Sequence, residues 1–332
     1  MKVRVIVIVL SVLTAGMLAA CGGRRTNLVS VADVMTMVAT DSAEIAEVIN
    51  PAVMLVADGR LIVGSFNTDT VFYSYSLPEL APEGRGVAIG QGPADIYTPM
   101  VMGAQLSPDG LIALPYGGRG GMALVDPSTL EITEKMTFPL PADWMFVQNV
   151  VWVAPGKYLE QRGDLPLSWA IVGAGGEVVS EAEPTIPEAV AAKAGRDLSA
   201  DIIVRTAIGV ANAEYGRWAV CYRVFPQIEV FGADGKLIKR ELIDLDYDMK
   251  SACFVNAKSD NKGFYVNYQS PDGKEYASVI LHFDWDGTLV NAYAVEQKIG
   301  AFAVDSNKTG RVYFTTIGDA ERIYSFAIKD LK

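Results

Sequence analysis

Six times along the chain an apolar segment runs into a short turn carrying Asp, Asn or Gly and returns as a second apolar segment. The six are VMLVADGRLIVGS from Val53, GAQLSPDGLIALP from Gly103, NVVWVAPGKYLEQ from Asn149, AIGVANAEYGRWAVCY from Ala207, CFVNAKSDNKGFYVNY from Cys253 and AFAVDSNKTGRVYFTT from Ala301. Their turn glycines, Gly59, Gly110, Gly156, Gly216, Gly263 and Gly310, are spaced by 51, 46, 60, 47 and 47 residues. A period in the high forties matches one four-stranded propeller blade. A repeat of this kind excludes most other folds, because each unit can bury its faces only against its neighbours.

A third apolar strand follows each pair, as in VFYSYSLPEL, MALVDPSTL and SVILHFDWDGTLV. Several of these end in a two-residue hairpin turn, Gly175-Gly176, Asp234-Gly235 or Asp286-Gly287, pairs that tolerate the positive φ a tight turn requires. A fourth strand follows, as in EITEKMTFPL, KRELIDLD and LVNAYAVEQ. The sixth unit ends after its third strand. AEIAEVIN, Ala43 to Asn50, supplies the missing strand, closing the ring and removing an open sheet edge. The expected fold is therefore all-β: a six-bladed β-propeller of four-stranded blades over 41–332, its last blade closed by an N-terminal strand. A seven-bladed ring and a pair of β-sandwiches are the rivals. The long spacing of 60 marks an insertion. The alanine-rich stretch at about 187–204, opened by Pro187, predicts a short helix between blades three and four, as surface decoration or as a lid or docking element.

Composition agrees with a turn-rich fold, with 31 Gly and 16 Pro in 332 residues. The net charge of -11 repels phosphate backbones, so nucleic acid is not an expected partner. Three cysteines and a lone histidine leave little for a zinc site.

The N-terminus reads MKVRVIVIVLSVLTAGMLAACGG. Lys2 and Arg4 precede an apolar run from Val5 to Ala15, and small residues lead into Cys21, the layout of a secretory signal. Leu18-Ala19-Ala20-Cys21 resembles a bacterial lipobox. The resemblance implies removal of residues 1–20 and lipidation of Cys21 with diacylglycerol and an N-acyl chain such as palmitate, enough acyl surface for stable membrane anchoring. Residues 21–40 then read as a lipidated tether. Gly22 is not the aspartate of the inner-membrane retention signal, so an outer-membrane lipoprotein of the cell envelope is expected, with the membrane face open. An uncleaved anchor or an ordinary signal peptide is the alternative.

AIGQGPADI, residues 88–96, has the look of a phosphate loop. A dinucleotide loop needs a preceding strand, a following helix and a third glycine. Here Pro93 follows Gly92, position 95 is an aspartate, and no helical pattern comes next, so the stretch reads as the corner between blades one and two. It also resembles Gly-x-Gly-Pro-Gly-Glu-Phe, a motif at the end of an early blade in the TolB-like six-bladed β-propeller lipoproteins of Bacteroidota. The first four positions match at Gly90, Gln91, Gly92 and Pro93; Ala94, Asp95 and Ile96 depart, keeping an acid and an apolar residue. The resemblance spans roughly residues 40–332 and implies fold and location more than activity.

No catalytic residue and no cofactor are assigned. His282, in the strand VILHFDWDG, reads as a structural histidine, with no second histidine to build a metal set or triad. Asn149, Asn212, Asn256 and Asp305 fall on or just after inner-strand patterns in different blades. They compose a weak metal set, and the alternative is that they make turns and cap strands. Loops between second and third strands share one rim, and there Tyr116, Arg119, Arg162, Tyr222, Arg223, Phe225 and Tyr268 form a candidate binding ring, since Arg and aromatic residues favour binding hot spots. Met100, Met102, Trp144, Met145 and Phe146, in inter-blade links, read as plugs between sheets. Cys221 and Cys253 approach the same rim in adjacent blades, so a disulfide is possible in an exported protein; two buried thiols are the alternative. The expected function is a binding or scaffold protein for a protein, peptide or glycan at the propeller rim. The alternative is a metal-dependent hydrolase or lyase with its site in the central channel.

Overall fold

The computed structural model describes residues 27–328, except 32–33, 46, 49, 67–68, 118–119, 139, 142–146, 163–167, 196 and 199–200. The signal segment, Cys21, Arg119, Trp144, Met145 and Phe146 lie outside the described residues.

Three short strands lead in: β1 (Asn27–Ser30), β2 (Val34–Thr36) and β3 (Asp41–Glu44). Blade one then holds β4 (Pro51–Ala57), β5 (Arg60–Ser65), β6 (Thr70–Ser76) and β7 (Pro82–Ala88). Blade two holds β8 (Gln105–Leu106), β9 (Ile112–Tyr116), β10 (Gly121–Val125) and β11 (Ile132–Thr137), and blade three β12 (Val147–Ala154), β13 (Lys157–Arg162), β14 (Trp169–Gly173) and β15 (Val178–Ala182). Blade four holds β16 (Ala207–Asn212), β17 (Arg217–Tyr222), β18 (Gln227–Gly232) and β19 (Leu237–Asp244), and blade five β20 (Phe254–Ser259), β21 (Phe264–Gln269), β22 (Ser278–Phe283) and β23 (Leu289–Val295). Blade six is β24 (Ile299–Asp305), β25 (Arg311–Thr316) and β26 (Arg322–Ala327), completed by β3. The fold is a six-bladed β-propeller.

Strand alternation explains how a ring with no axial core holds together. Successive side chains leave a strand on opposite faces, and each face of every blade meets a different neighbour. Met54 packs between blades one and six, whereas Val53 and Leu55 pack between blades one and two. Likewise Tyr158 faces blade two and Leu159 faces blade four. Among the described residues the buried apolar side chains form six clusters, one for each blade interface. Five of the six turn glycines take the left-handed conformation the tight turn needs. Gly263 does not; a Cβ there would lie 1.9 Å from the Phe283 carbonyl oxygen, so its glycine serves close packing of β21 against β22.

The closing strand departs from the sequence expectation in position. It covers Asp41–Glu44 rather than 43–50, pairing Glu44 with Arg322 and Asp41 with Ser325 in antiparallel register. Ile45 and Val48 instead turn inward and are buried between blades one and six. Their spacing of three suits a turn, closed by the bond from Val48 N–H to the Ile45 carbonyl.

Part of the stretch expected to be tether is strand. β1 pairs in parallel with β19, Asn27 opposite Glu241, and β2 pairs in parallel with β23, Val34 opposite Ala292. Blades four and five therefore have five strands. Val29, Val31 and Val34 pack against the core between those blades. The outer edges of β19 and β23 offer free backbone donors and acceptors, and these short segments satisfy them.

The insertion contains two short helices, α1 (Glu188–Ala194) and α2 (Ile202–Arg205). Gly195, left-handed, ends the first, and the Asp201 carboxylate caps the second through the Ile203 and Val204 N–H groups. Val190, Leu198 and Val204 are buried against blades three and four, so the insertion is packed to the ring.

Candidate ligand channel

The inner strands leave a cavity of about 700 Å³ along the propeller axis. Its wall is built from β4, β8 with the residues on either side of it, β12, β16, β20 and β24, and from the turns that follow several of these strands. The cavity thus reaches the mouth formed by first-to-second strand turns, opposite the rim where the sequence places its candidate ring.

Most polar groups at this mouth are occupied in holding the turns. Asn212 Oδ1 accepts from the Glu214 and Tyr215 N–H groups at 2.9 and 3.1 Å, while its Nδ2 donates to the Asp260 carbonyl at 3.0 Å. Asp260 Oδ1 accepts from the Lys262 and Gly263 N–H groups, and its Oδ2 from the Ser306 hydroxyl at 2.5 Å. Asp305 accepts from the Lys308 and Thr309 N–H groups at 3.0 and 2.9 Å. Asn212 and Asp305 are therefore turn-forming residues. Asn149 lies on β12 and its side chain is outside the description. Among the described residues no group of three or more His, Cys, Asp or Glu side chains is arranged to hold a metal ion.

Among the described residues, two partly buried amide and amine groups on the inner strands of the wall are not occupied, while the unbonded Glu214, Asn261 and Asn307 are exposed in its turns. Asn256 and Lys258 stand two apart on β20, while Ala257 between them faces the core shared with blade four. Neither side chain has a hydrogen bond or ion pair among the described residues. Among the described residues Lys258 is the sole basic residue in the cavity wall, and it is half-buried. Burial pushes its amine down to about 8, since no counter-charge offsets the lost hydration. Outward from Lys258, Tyr265, His282 and Asn291 stand in register across the blade. His282 is buried and stacked on Tyr265, ring centroids 4.3 Å apart, as its structural reading expects.

The candidate rim ring does not assemble. Tyr222 and Phe225 are fully buried and Tyr268 nearly so, which removes three of its aromatic members. Tyr222 and Phe225 stack on each other, 4.8 Å apart, in the core between blades three and four. The Tyr222 hydroxyl accepts from the Thr185 N–H at 2.8 Å and donates to Glu229 at 3.0 Å, where Arg240 Nε meets the other Glu229 oxygen at 2.5 Å. Gln227 and Arg240 also bond Thr185, so this polar cluster fastens the link between the two blades. Tyr268 donates to the Asp246 carbonyl at 2.7 Å. Tyr116 is half-buried and edge-on to Tyr97. Arg162 and Arg223 are half-buried, and the Arg223 carbonyl accepts from Cys253 and Phe254 across the junction of blades four and five. Met102 is not a plug: it is exposed and lines the cavity.

Cys221 and Cys253 are free thiols, both buried in the core between blades four and five. Burial pushes the Cys253 thiol up to about 12 and that of Cys221 higher, so both behave as small apolar side chains. The disulfide is not formed. The corner at Gly90 behaves as expected: Asp95 Oδ2 accepts from the Gly92 N–H at 2.9 Å, and Lys135 reaches the Pro93 and Asp95 carbonyls. A Cβ at Gly90 would fall 2.4 Å from that carboxylate, which explains the glycine without any phosphate.

Glu160, on β13, is a further group that sequence reasoning passes over. It is completely buried, neither carboxyl oxygen has a partner among the described residues, and burial pushes it up to about 8.

No family model and no curated protein sequence matches the chain. Among solved structures it is similar to a DUF4221 family member from Bacteroides vulgatus, with a TM-score of 0.61 and 11% identity over 89% of this chain and 98% of that one. A protein of unknown function from Bacteroides caccae aligns more loosely, with a TM-score of 0.45 and 11% identity over 74% of this chain and 81% of that one. At these identities the likeness concerns the fold.

Proposed function

We propose that the protein is a non-catalytic binding protein of the cell envelope, held to a membrane through lipid on Cys21, which takes a peptide or glycan fragment into the central channel. The observation that carries this reading is the cavity of about 700 Å³, walled by all six inner strands, two of whose partly buried groups, Asn256 and Lys258, have no partner among the described residues. Pockets of a few hundred cubic ångströms suit small ligands. Burial of Tyr222, Phe225 and Tyr268 speaks against the rim and supports the reading at the opposite mouth. The lipobox-like Leu18-Ala19-Ala20-Cys21 supports the anchoring, and the Gly90–Ile96 corner supports kinship with the TolB-like propeller lipoproteins.

Met102, exposed on the cavity wall, provides the test. Met102→Trp narrows the channel without entering a blade core. Ligands found by thermal shift against peptide and oligosaccharide panels should lose at least tenfold in affinity in this variant. Ligands that bind both forms equally would remove the channel from the reading. Mass spectrometry of the mature N-terminus tests the anchor, and an unmodified Cys21 would refute it.

A further inference from the structure

We propose that Lys258 makes the channel a carboxylate-binding site, specific for small acids whose remaining part is apolar or neutral. The inference rests on the channel reading above and names its ligand chemistry.

Lys258 is the lone Lys or Arg in the six inner strands PAVMLVA, QL, VQNVVWVA, AIGVAN, FVNAKS and IGAFAVD. A cation taken partly out of water is costly unless an anion meets it. The carboxylates of the cavity wall do not serve: Asp260 and Asp305 are turned to backbone N–H groups of their own turns, and Glu214, exposed on its turn, forms no ion pair with Lys258. Lys258 lines the cavity, and its amine has no partner among the described residues. Asn256, from the same strand face, adds amide N–H donors with no acceptor among the described residues. A carboxylate has two oxygens and accepts from both groups at once. Burial holds the amine down to about 8, and a bound anion would raise it. Blade two lies across the ring from blade five, and there Met102 and Leu106 expose apolar surface to the cavity. The site therefore offers a charged end and an apolar end.

Two sources share this chemistry, an acidic sugar and a free peptide C-terminus. The probes are D-glucuronate with D-glucose as its neutral partner, and N-acetyl-alanyl-alanine with its C-terminal amide. Acetylation of Lys258 by acetic anhydride is followed across pH by peptide mass mapping, with and without each probe. Calorimetry is run on the wild type, Lys258→Met and Lys258→Arg, with melting temperature as the folding control. The free protein is expected to label with a midpoint near pH 8, and the binding acid to move that midpoint up by at least one pH unit. Lys258→Met should lose at least tenfold in affinity for that acid, and Lys258→Arg should keep most of it. Protection by glucuronate assigns the sugar, and protection by the peptide acid assigns the C-terminus. Equal binding of acid and neutral partner, unchanged in Lys258→Met, would overturn the proposal while leaving the channel reading intact. Failure of both acids to bind, or a midpoint above pH 10, would also overturn it.

Discussion

Glu160 offers a quantitative prediction about stability. It sits on β13 between Val150 and Ala170, on the face that meets blade two, and neither oxygen finds a donor. Tyr158, two residues earlier on that face, is pushed up by burial and then by the Glu160 charge. The folded chain therefore keeps the Glu160 proton up to about pH 8, whereas an unfolded chain releases it near 4.5. Between those values the unfolded state binds fewer protons, so stability falls as pH rises. About 1.4 kcal/mol is at stake per pH unit, or about 4 kcal/mol between pH 4.5 and 7.5. Glu160→Gln removes the titration and keeps the shape. Urea unfolding of both proteins across this range isolates the effect, because other groups cancel in the difference. The wild type should lose about 4 kcal/mol relative to the variant by pH 7.5 and level off above pH 8. A difference that stays flat within about 1 kcal/mol would refute the reasoning and mean that the carboxyl meets a donor or water in solution.

Other outcomes follow from the same physics. Arg240→Met strands the buried Glu229 carboxylate and should cost about 3–5 kcal/mol in urea unfolding, most of it recovered when Glu229 is made Leu as well. In a soluble form carrying Cys21→Ser, a thiol reagent should find no reactive group in the native protein and two after unfolding without reductant; fewer than two would show a disulfide. Deleting residues 27–36 should leave a cooperatively folding ring with a lower melting temperature and a tendency to associate, because two edges are bared. Extending the deletion through Glu44 should abolish cooperative unfolding, which calorimetry would show.

The blades were legible because each obeys local rules: alternation sets the faces, glycine turns set the corners, and the period counts the sheets. Closure was legible too, since blade six lacked a strand and the N-terminus held one. The strand begins two residues earlier and ends six residues earlier than expected, because Ile45 and Val48 are apolar residues that serve a turn rather than a strand. β1 and β2 escaped notice because three or four residues show no readable period, and their pairing is with strands more than 200 residues away. The site was much less legible. Tyr222 and Phe225 flank a loop, yet loop position does not say whether a ring turns to solvent or to the neighbouring blade. Lys258 did leave a signal, as the only base in six inner strands, but its importance depends on a cavity that exists only once the ring closes.

The N-terminal segment visits three blades in turn, four, five and then six, before the ring proper begins. Tension applied at the N-terminus would therefore load β1 first, β2 next, and β3 last. Only β3 completes a blade, so the first two contacts act as mechanical fuses that yield before the ring itself is opened. A propeller pulled from that end would show two small, reversible extensions ahead of any rupture, and the channel would survive both.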